Sequence, residues 1–193
     1  MSTTINTSPP VKTYTLEEFW QLPDPPDRSK LELIDGVLYM TPPPEETHDD
    51  SVSKLLRWLT VYLIETGDNG ALFVPRAAIW TSKRTYLEPD LFYVSAELAA
   101  RLKPKHRDTA DLVVEVISPG SAMYDRTTKA ETYAALGVRE LWLIDETEET
   151  VEVRRQAGGG GVFGGGRVFG RGELVESEVF PALRLAVEQL FPD

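Results

Sequence analysis

Cysteine is absent from this chain, which excludes disulfides, thiolate zinc sites, iron–sulfur clusters and cysteine nucleophiles together. Histidine is almost absent: His48 and His106 are the only two, so no multi-histidine metal site can form. Long apolar runs are missing as well. The opening stretch, MSTTINTSPPVKTYT, shows no secretory signal. The most apolar helical stretch, Val52 to Ile64, is interrupted by Lys54 and Arg57 and is too short for a bilayer. Positive charge is scarce, with 20 basic against 31 acidic side chains and a net charge of −11. A generally basic nucleic-acid coat protein is thereby excluded. Contact with phosphate would need a local basic patch or a metal ion. What remains is 193 residues, 41% apolar and 26% charged, the size and composition of one packed domain. The expectation is a soluble, cytoplasmic protein with no membrane segment.

Residues 1–13 read as a flexible polar tail, and residues 14–193 as one domain. Thr15 and Glu18 form a capping-box pattern, predicting a short helix over 15–22. Asp35-Gly36 between apolar runs predicts a hairpin, because both turn positions must accept positive φ. Thr47 is the expected cap of a helix whose face is Val52, Leu55, Leu56, Leu59, Tyr62 and Leu63, stopped by Gly67 and Gly70. Strands are expected over 72–80, 87–94 and 112–117, with a short helix at 95–102 and a basic loop after it. A helix over 124–136, ended by Gly137, leads to a strand at 138–144. Residues 151–155 are expected to open a second sheet region, and 174–190 to close the chain with a strand and a short turn. The segment 157–172 holds nine of the fourteen glycines. It lacks the GK[ST] ending of a phosphate loop, so a flexible hairpin tip is the better reading. The order helix, three strands, helix, strand gives a mixed α/β core, preceded by a hairpin and followed by a small β-meander.

Three residues look costly where they stand. Glu115 interrupts LVVEVI (112–117), a run typical of a strand covered on both faces. A carboxylate there must be paired, protonated or metal-bound, unless it points out at a sheet end or meets Arg126 or Arg139. Asp90 lies in a second apolar run behind Pro89, which cannot donate to a ladder and so marks an edge or bulge. A solvated edge position is the alternative. Two adjacent strands with one carboxylate each can offer a pair of hard oxygen ligands, the donor set that magnesium takes together with water and substrate phosphate. Lys129 shares one helix face with Asp125 and Tyr133, at spacings of four. That helix follows the Glu115 strand directly, so its first turns lie beside the strand's end. A surface Asp–Lys pair is the alternative.

ELIDG (32–36), His48 at a helix start, PDLFYV (89–94), DLVVEVISP (111–119), YDRTTKAETYAALGVRELWLID (124–145) and VEVRR (151–155) together resemble the Uma-two family of bacterial restriction-endonuclease-type proteins. That family belongs to the PD-(D/E)XK nuclease superfamily, and the match runs over about residues 14–190. The resemblance implies a restriction-endonuclease-like mixed sheet with an αβββαβ core, and magnesium-dependent hydrolysis of DNA phosphodiesters, with manganese as a substitute. It implies Asp90 and Glu115 as metal ligands and catalytic residues. Ile117 stands where the superfamily has lysine, and Lys129 is the candidate for a migrated one. Glu32, His48 and Asp125 are implied as accessory residues, His48 as packing or site support. DNA is the implied partner, a homodimer the implied assembly, and no small-molecule cofactor is expected. Residues 83–107 carry six basic against three acidic side chains, and Lys103, Lys105 and Arg107 in this window are the candidate DNA contacts. A non-catalytic DNA-binding or assembly module on the same scaffold, or a hydrolase of another phosphodiester such as RNA, are the competing readings.

Overall fold

A computed structural model describes residues 11–27, 29–43, 46–118, 120–158 and 160–191. Most of the expected N-terminal tail, residues 1–10, lies outside these. Thr13 does not belong to it, since it bridges to Val37. Both halves of the capping box form, with Glu18 N–H donating to Thr15 Oγ1 at 3.1 Å and Thr15 N–H to Glu18 Oε2 at 2.7 Å. They start α1 (Leu16–Phe19). The hairpin β1 (Lys30–Ile34) and β2 (Val37–Thr41) turns on Asp35 and Gly36, at φ 49° and 84°. A Cβ on Gly36 would stand 3.0 Å from the Tyr14 carbonyl, so glycine is required there on two counts. Helix α2 (Glu46–Thr66) begins before Thr47. Thr47 is therefore inside the first turn rather than its cap, and its hydroxyl donates to Glu146 Oε2 at 3.2 Å. Gly67, at φ 68°, follows the last turn as expected.

Two of the expected strands each divide between two sheets. The first becomes β3 (Ala71–Phe73) and β4 (Ile79–Thr81); the second becomes β5 (Thr85–Leu87) and β6 (Leu91–Val94). The chain changes sheet at Glu88-Pro89-Asp90, where proline interrupts ladder donation. After α3 (Ala96–Ala99), capped by Ser95, comes β7 (Leu112–Ile117). The next helix is α4 (Ala122–Tyr124) and α5 (Ala130–Ala135), joined by a wide π turn over Asp125–Lys129. It is followed by β8 (Glu140–Asp145), β9 (Thr150–Arg155) and β10 (Arg167–Phe169).

The large sheet runs β10-β9-β8-β7-β6-β3 and the small one β2-β1-β5-β4. The αβββαβ core is α2, β3, β6, β7, α4–α5 and β8, with β7 and β8 parallel and the neighbouring pairs antiparallel. Residues 151–155 do not open a second sheet. They extend the large one, because β8, β9 and β10 form an antiparallel meander on its edge, and the glycine-rich segment leads from β9 into β10 and contains that strand. The expected strand in 174–190 reduces to one bridge, Leu174 to Ala186, and a 3₁₀ turn at Val187–Leu190. Among the described residues, no helix is long and apolar enough to cross a membrane.

Strand alternation decides what each face of the large sheet carries. Leu112, Val114 and Val116 pack with Leu55 and Leu59 of α2, while Val113 and Ile117 pack with Ala130 and Tyr133 of α5 and with Ile34 and Leu87 of the small sheet. Glu115 is in phase with the second set. It therefore points into the layer between the large sheet, the π turn and the hairpin, and this phase is the reason a carboxylate is buried in the core.

Candidate active site

Glu32, Asp90, Glu115, Asp125 and Lys129 are 0–3% exposed. They come from β1, the start of β6, β7 and the π turn. Lys129 Nζ lies 2.7 Å from Glu115 Oε1, 3.4 Å from Glu32 Oε2 and 3.5 Å from Asp125 Oδ1. One ammonium thus serves three carboxylates. Tyr133 donates its hydroxyl to Glu115 Oε1, and Tyr124 donates to Glu32 Oε2 at 3.2 Å. Glu32 Oε1 accepts the Glu88 backbone N–H at 3.0 Å. The π turn widens the helix at the point where Asp125 and Lys129 must both face the sheet, a distortion common at functional sites.

Asp90 forms a second cluster on the neighbouring strand. Its Oδ2 accepts the Val116 N–H at 2.9 Å and meets His48 Nε2 at 3.0 Å, while its Oδ1 is held by Lys30 Nζ. His48 reaches Asp90 from the first turns of α2. Ser51, one turn on, donates to Glu146 Oε1 at 2.8 Å. Lys30, His48, Asp90, Glu115, Asp125, Lys129 and Glu146 line one cavity of about 510 Å³. Thr41, Ser118, Gly120, Ser121 and Thr147 line it too, with Pro42, Pro43, Glu149 and Phe191.

Carboxylates outnumber the cations set among them, and the ionisation equilibria follow. Burial pushes Glu115 up, and the charges of Asp90, Asp125 and Glu32 add to it against the opposing pull of Lys129, so its pKa stands at about 8. Burial also disfavours ionised Asp90, but the His48 hydrogen bond and the charges of Lys30, His48 and Lys129 outweigh it and hold the group below the usual carboxylate range. Burial alone would depress Lys129; Glu115, Glu32, Tyr133 and Asp125 overcome it and hold the ammonium well above its ordinary value. Lys30 and His48 are likewise raised, burial being outweighed by Asp90.

The donor chemistry suits a hard divalent cation. The donors are buried carboxylate oxygens, and magnesium needs only one or two of them beside water and substrate. An all-protein cage is a different matter. Among the described residues no group of three or more His, Asp or Glu side chains is arranged to hold a metal.

The expected meeting of Lys129 with the Glu115 strand is present, and so are contacts from Glu32 and Asp125. Arg126 and Arg139 are not partners of Glu115: Arg126 pairs with Asp145 and Glu152, and Arg139 with Asp111. The basic loop is elsewhere. It leaves β6 at Val94 and enters β7 at Leu112, the sheet end opposite Asp90 and Ile117, and Lys103, Lys105 and Arg107 do not line the cavity. Lys103 and Lys105 are exposed, whereas the Arg107 guanidinium lies over the Phe73 ring at 4.2 Å. Sequence reasoning missed Lys30. Strand period could have found it, since Lys30 and Glu32 are two apart on β1 and so share a face.

The model of a family described as "Putative restriction endonuclease" matches residues 16–188, and the chain belongs to that family. A solved structure described as a putative nuclease belonging to DUF820, from Anabaena variabilis, is similar to it with a TM-score of 0.73 and 21% sequence identity, covering 92% of this chain and 97% of that one. The two share the fold. No curated protein matches this chain.

Proposed function

We propose that this member of the restriction-endonuclease family is a magnesium-dependent DNA endonuclease of the cytoplasm. The observation that carries the reading is the Lys129–Glu115 contact of 2.7 Å in a cavity that Asp90 also lines from the adjacent strand. Asp90 and Glu115 would hold the ion. Bound there, it would supply Lewis-acid charge on the scissile phosphate and a lowered pKa for a bound water. Lys129 is kept cationic by its three carboxylates, so it acts as a hydrogen-bond donor and not as a base. It orients the attacking water and offsets charge developing on phosphorus. Glu32 and Asp125 hold that ammonium in place; His48 and the Val116 N–H fix the Asp90 carboxylate.

One observation favours the competing module. Lys30 pairs with Asp90 and Lys129 with Glu115, so each proposed metal ligand already has a protein cation beside it. Incubation with supercoiled plasmid separates the two. Wild type should nick or linearise it with magnesium or manganese and not with chelator, and Asp90→Ala should be inactive. Absent cleavage by wild type overturns the enzyme reading and metal-independent cleavage overturns the role of the ion; an RNA of matched length in parallel tests the other phosphodiester.

The basic loop gives a separate expectation. Arg107 is packed on Phe73, so its removal would confound binding with stability. Lys103→Ala with Lys105→Ala should weaken DNA binding and reduce the slope of log affinity against log salt by up to about two. An unchanged salt slope would mean that the loop, remote from the cavity, does not touch DNA.

A further inference from the structure

Lys30 is the one cation of the cavity that neither the motif nor the reaction above requires, and it occupies a telling position. Of the two Asp90 oxygens, Oδ2 is already committed to the Val116 N–H and His48 Nε2. Oδ1 is the oxygen open to a further cation, and Lys30 Nζ holds it. The lysine reaches there from the first residue of β1, in the small sheet, and its side chain is 19% exposed against 4% for Asp90. It is thus a long arm lining the cavity, more exposed than the carboxylate it holds. Lys129 differs: it is enclosed by three carboxylates, and its side chain is 4% exposed.

We infer that Lys30 is an exchangeable counter-ion of Asp90: a divalent cation entering the site displaces the Lys30 ammonium from Oδ1, and the freed ammonium turns to the phosphate of the incoming polyanion. The inference rests on Asp90 being a metal ligand, as proposed above. It follows from charge and geometry. An ammonium and a divalent ion cannot share one carboxylate oxygen without repulsion, and an ammonium on a four-carbon stem is easily re-aimed. A protein of net charge −11 also gains from a positive group that becomes available only when the site is loaded. Lys30 is a positioning residue here, acting on the ion through Asp90.

The test is metal binding, read without any cleavage: titration of Mn²⁺ by electron paramagnetic resonance on wild type, Lys30→Met, Lys30→Arg and Asp90→Ala. Removing the competitor should tighten Mn²⁺ binding by about tenfold or more in Lys30→Met. Arginine grips a carboxylate more firmly than lysine, so Lys30→Arg should bind Mn²⁺ more weakly than wild type. The order Met, Lys, Arg is not what a merely structural role would produce. With Ca²⁺ in place of Mn²⁺, Lys30→Met should also lose DNA affinity and about one unit of salt slope. Lys30→Arg keeps the charge and the pairing, so it stays informative even if Lys30→Met folds poorly. Equal Mn²⁺ affinity in wild type and both Lys30 variants, with binding lost in Asp90→Ala, overturns the exchange and leaves the metal site standing. Failure of wild type to bind Mn²⁺ at all overturns both this inference and the reading on which it rests.

Discussion

Lys129→Met is expected to destabilise the fold by about 3–5 kcal/mol, the usual cost of stripping one partner from a buried ionic group, and to abolish cleavage. Methionine fills a similar volume, so lost packing contributes little. The loss is electrostatic: Glu115, Glu32 and Asp125, at 2.7, 3.4 and 3.5 Å from Nζ, forfeit their common cation together. Deprived of it, buried carboxyls are held most cheaply as neutral acids, and Glu115, already raised by burial, loses the one charge that opposes the rise and is pushed further up. The native state then binds more protons than the unfolded state, and stability falls as pH rises. Melts of wild type and variant in chelator at about pH 5 and about pH 8 check this. The gap should be small at the lower pH and large at the higher. A gap equal at both would assign the loss to packing, and a gap under about 1 kcal/mol at both would end the role of Lys129 as shared cation.

The parts of this site that could be read from sequence were those whose cause is local. Glu115 stood out because period-2 burial leaves a carboxylate no exit from LVVEVI. Lys129 followed because the helix after that strand must return across its end. Asp35-Gly36 and Thr15/Glu18 announced themselves through backbone chemistry that acts over four residues. What escaped depends on contacts distant in sequence. Lys30 meets Asp90 across sixty positions, a contact made only when the small sheet folds over the large one. The division of 72–80 and 87–94 between sheets is of the same kind. Apolar runs predict strands, but which sheet receives each half is settled by packing around Pro89 and around the turn before Ile79. The π turn has no sequence signature at all, since it answers the demand that Asp125 and Lys129 face the same buried carboxylate layer. The basic loop is a related case: it neighbours Asp90 along the chain, but β6 carries the chain away from the cavity.

Glu115→Gln should behave oppositely to Lys129→Met in stability while sharing its loss of cleavage. Burial and the neighbouring carboxylates push Glu115 up to about 8, from an ordinary 4.5. Between those values the folded state holds a proton that the unfolded state has released. The sign is then fixed: stability declines as pH rises through that window, by up to about 1.4 kcal/mol per pH unit. Glutamine keeps the shape and cannot ionise. In chelator the variant should therefore match wild type near the acid end of the window and exceed it toward pH 8. Lys129 is not stranded by the change, because Glu32 and Asp125 remain within 3.5 Å of its ammonium. Millimolar magnesium should raise the melting temperature of wild type through ligand linkage and move Glu115→Gln little, since one of the two proposed ligands is gone. The opposite pattern has a clear meaning. If Glu115 serves only as the anion that Lys129 needs, its neutralisation costs up to about 3 kcal/mol wherever wild-type Glu115 is ionised and leaves the magnesium response intact. Melts of the two proteins across pH, with chelator and with magnesium, decide between a surplus carboxylate kept for a metal and an ion pair kept for the fold.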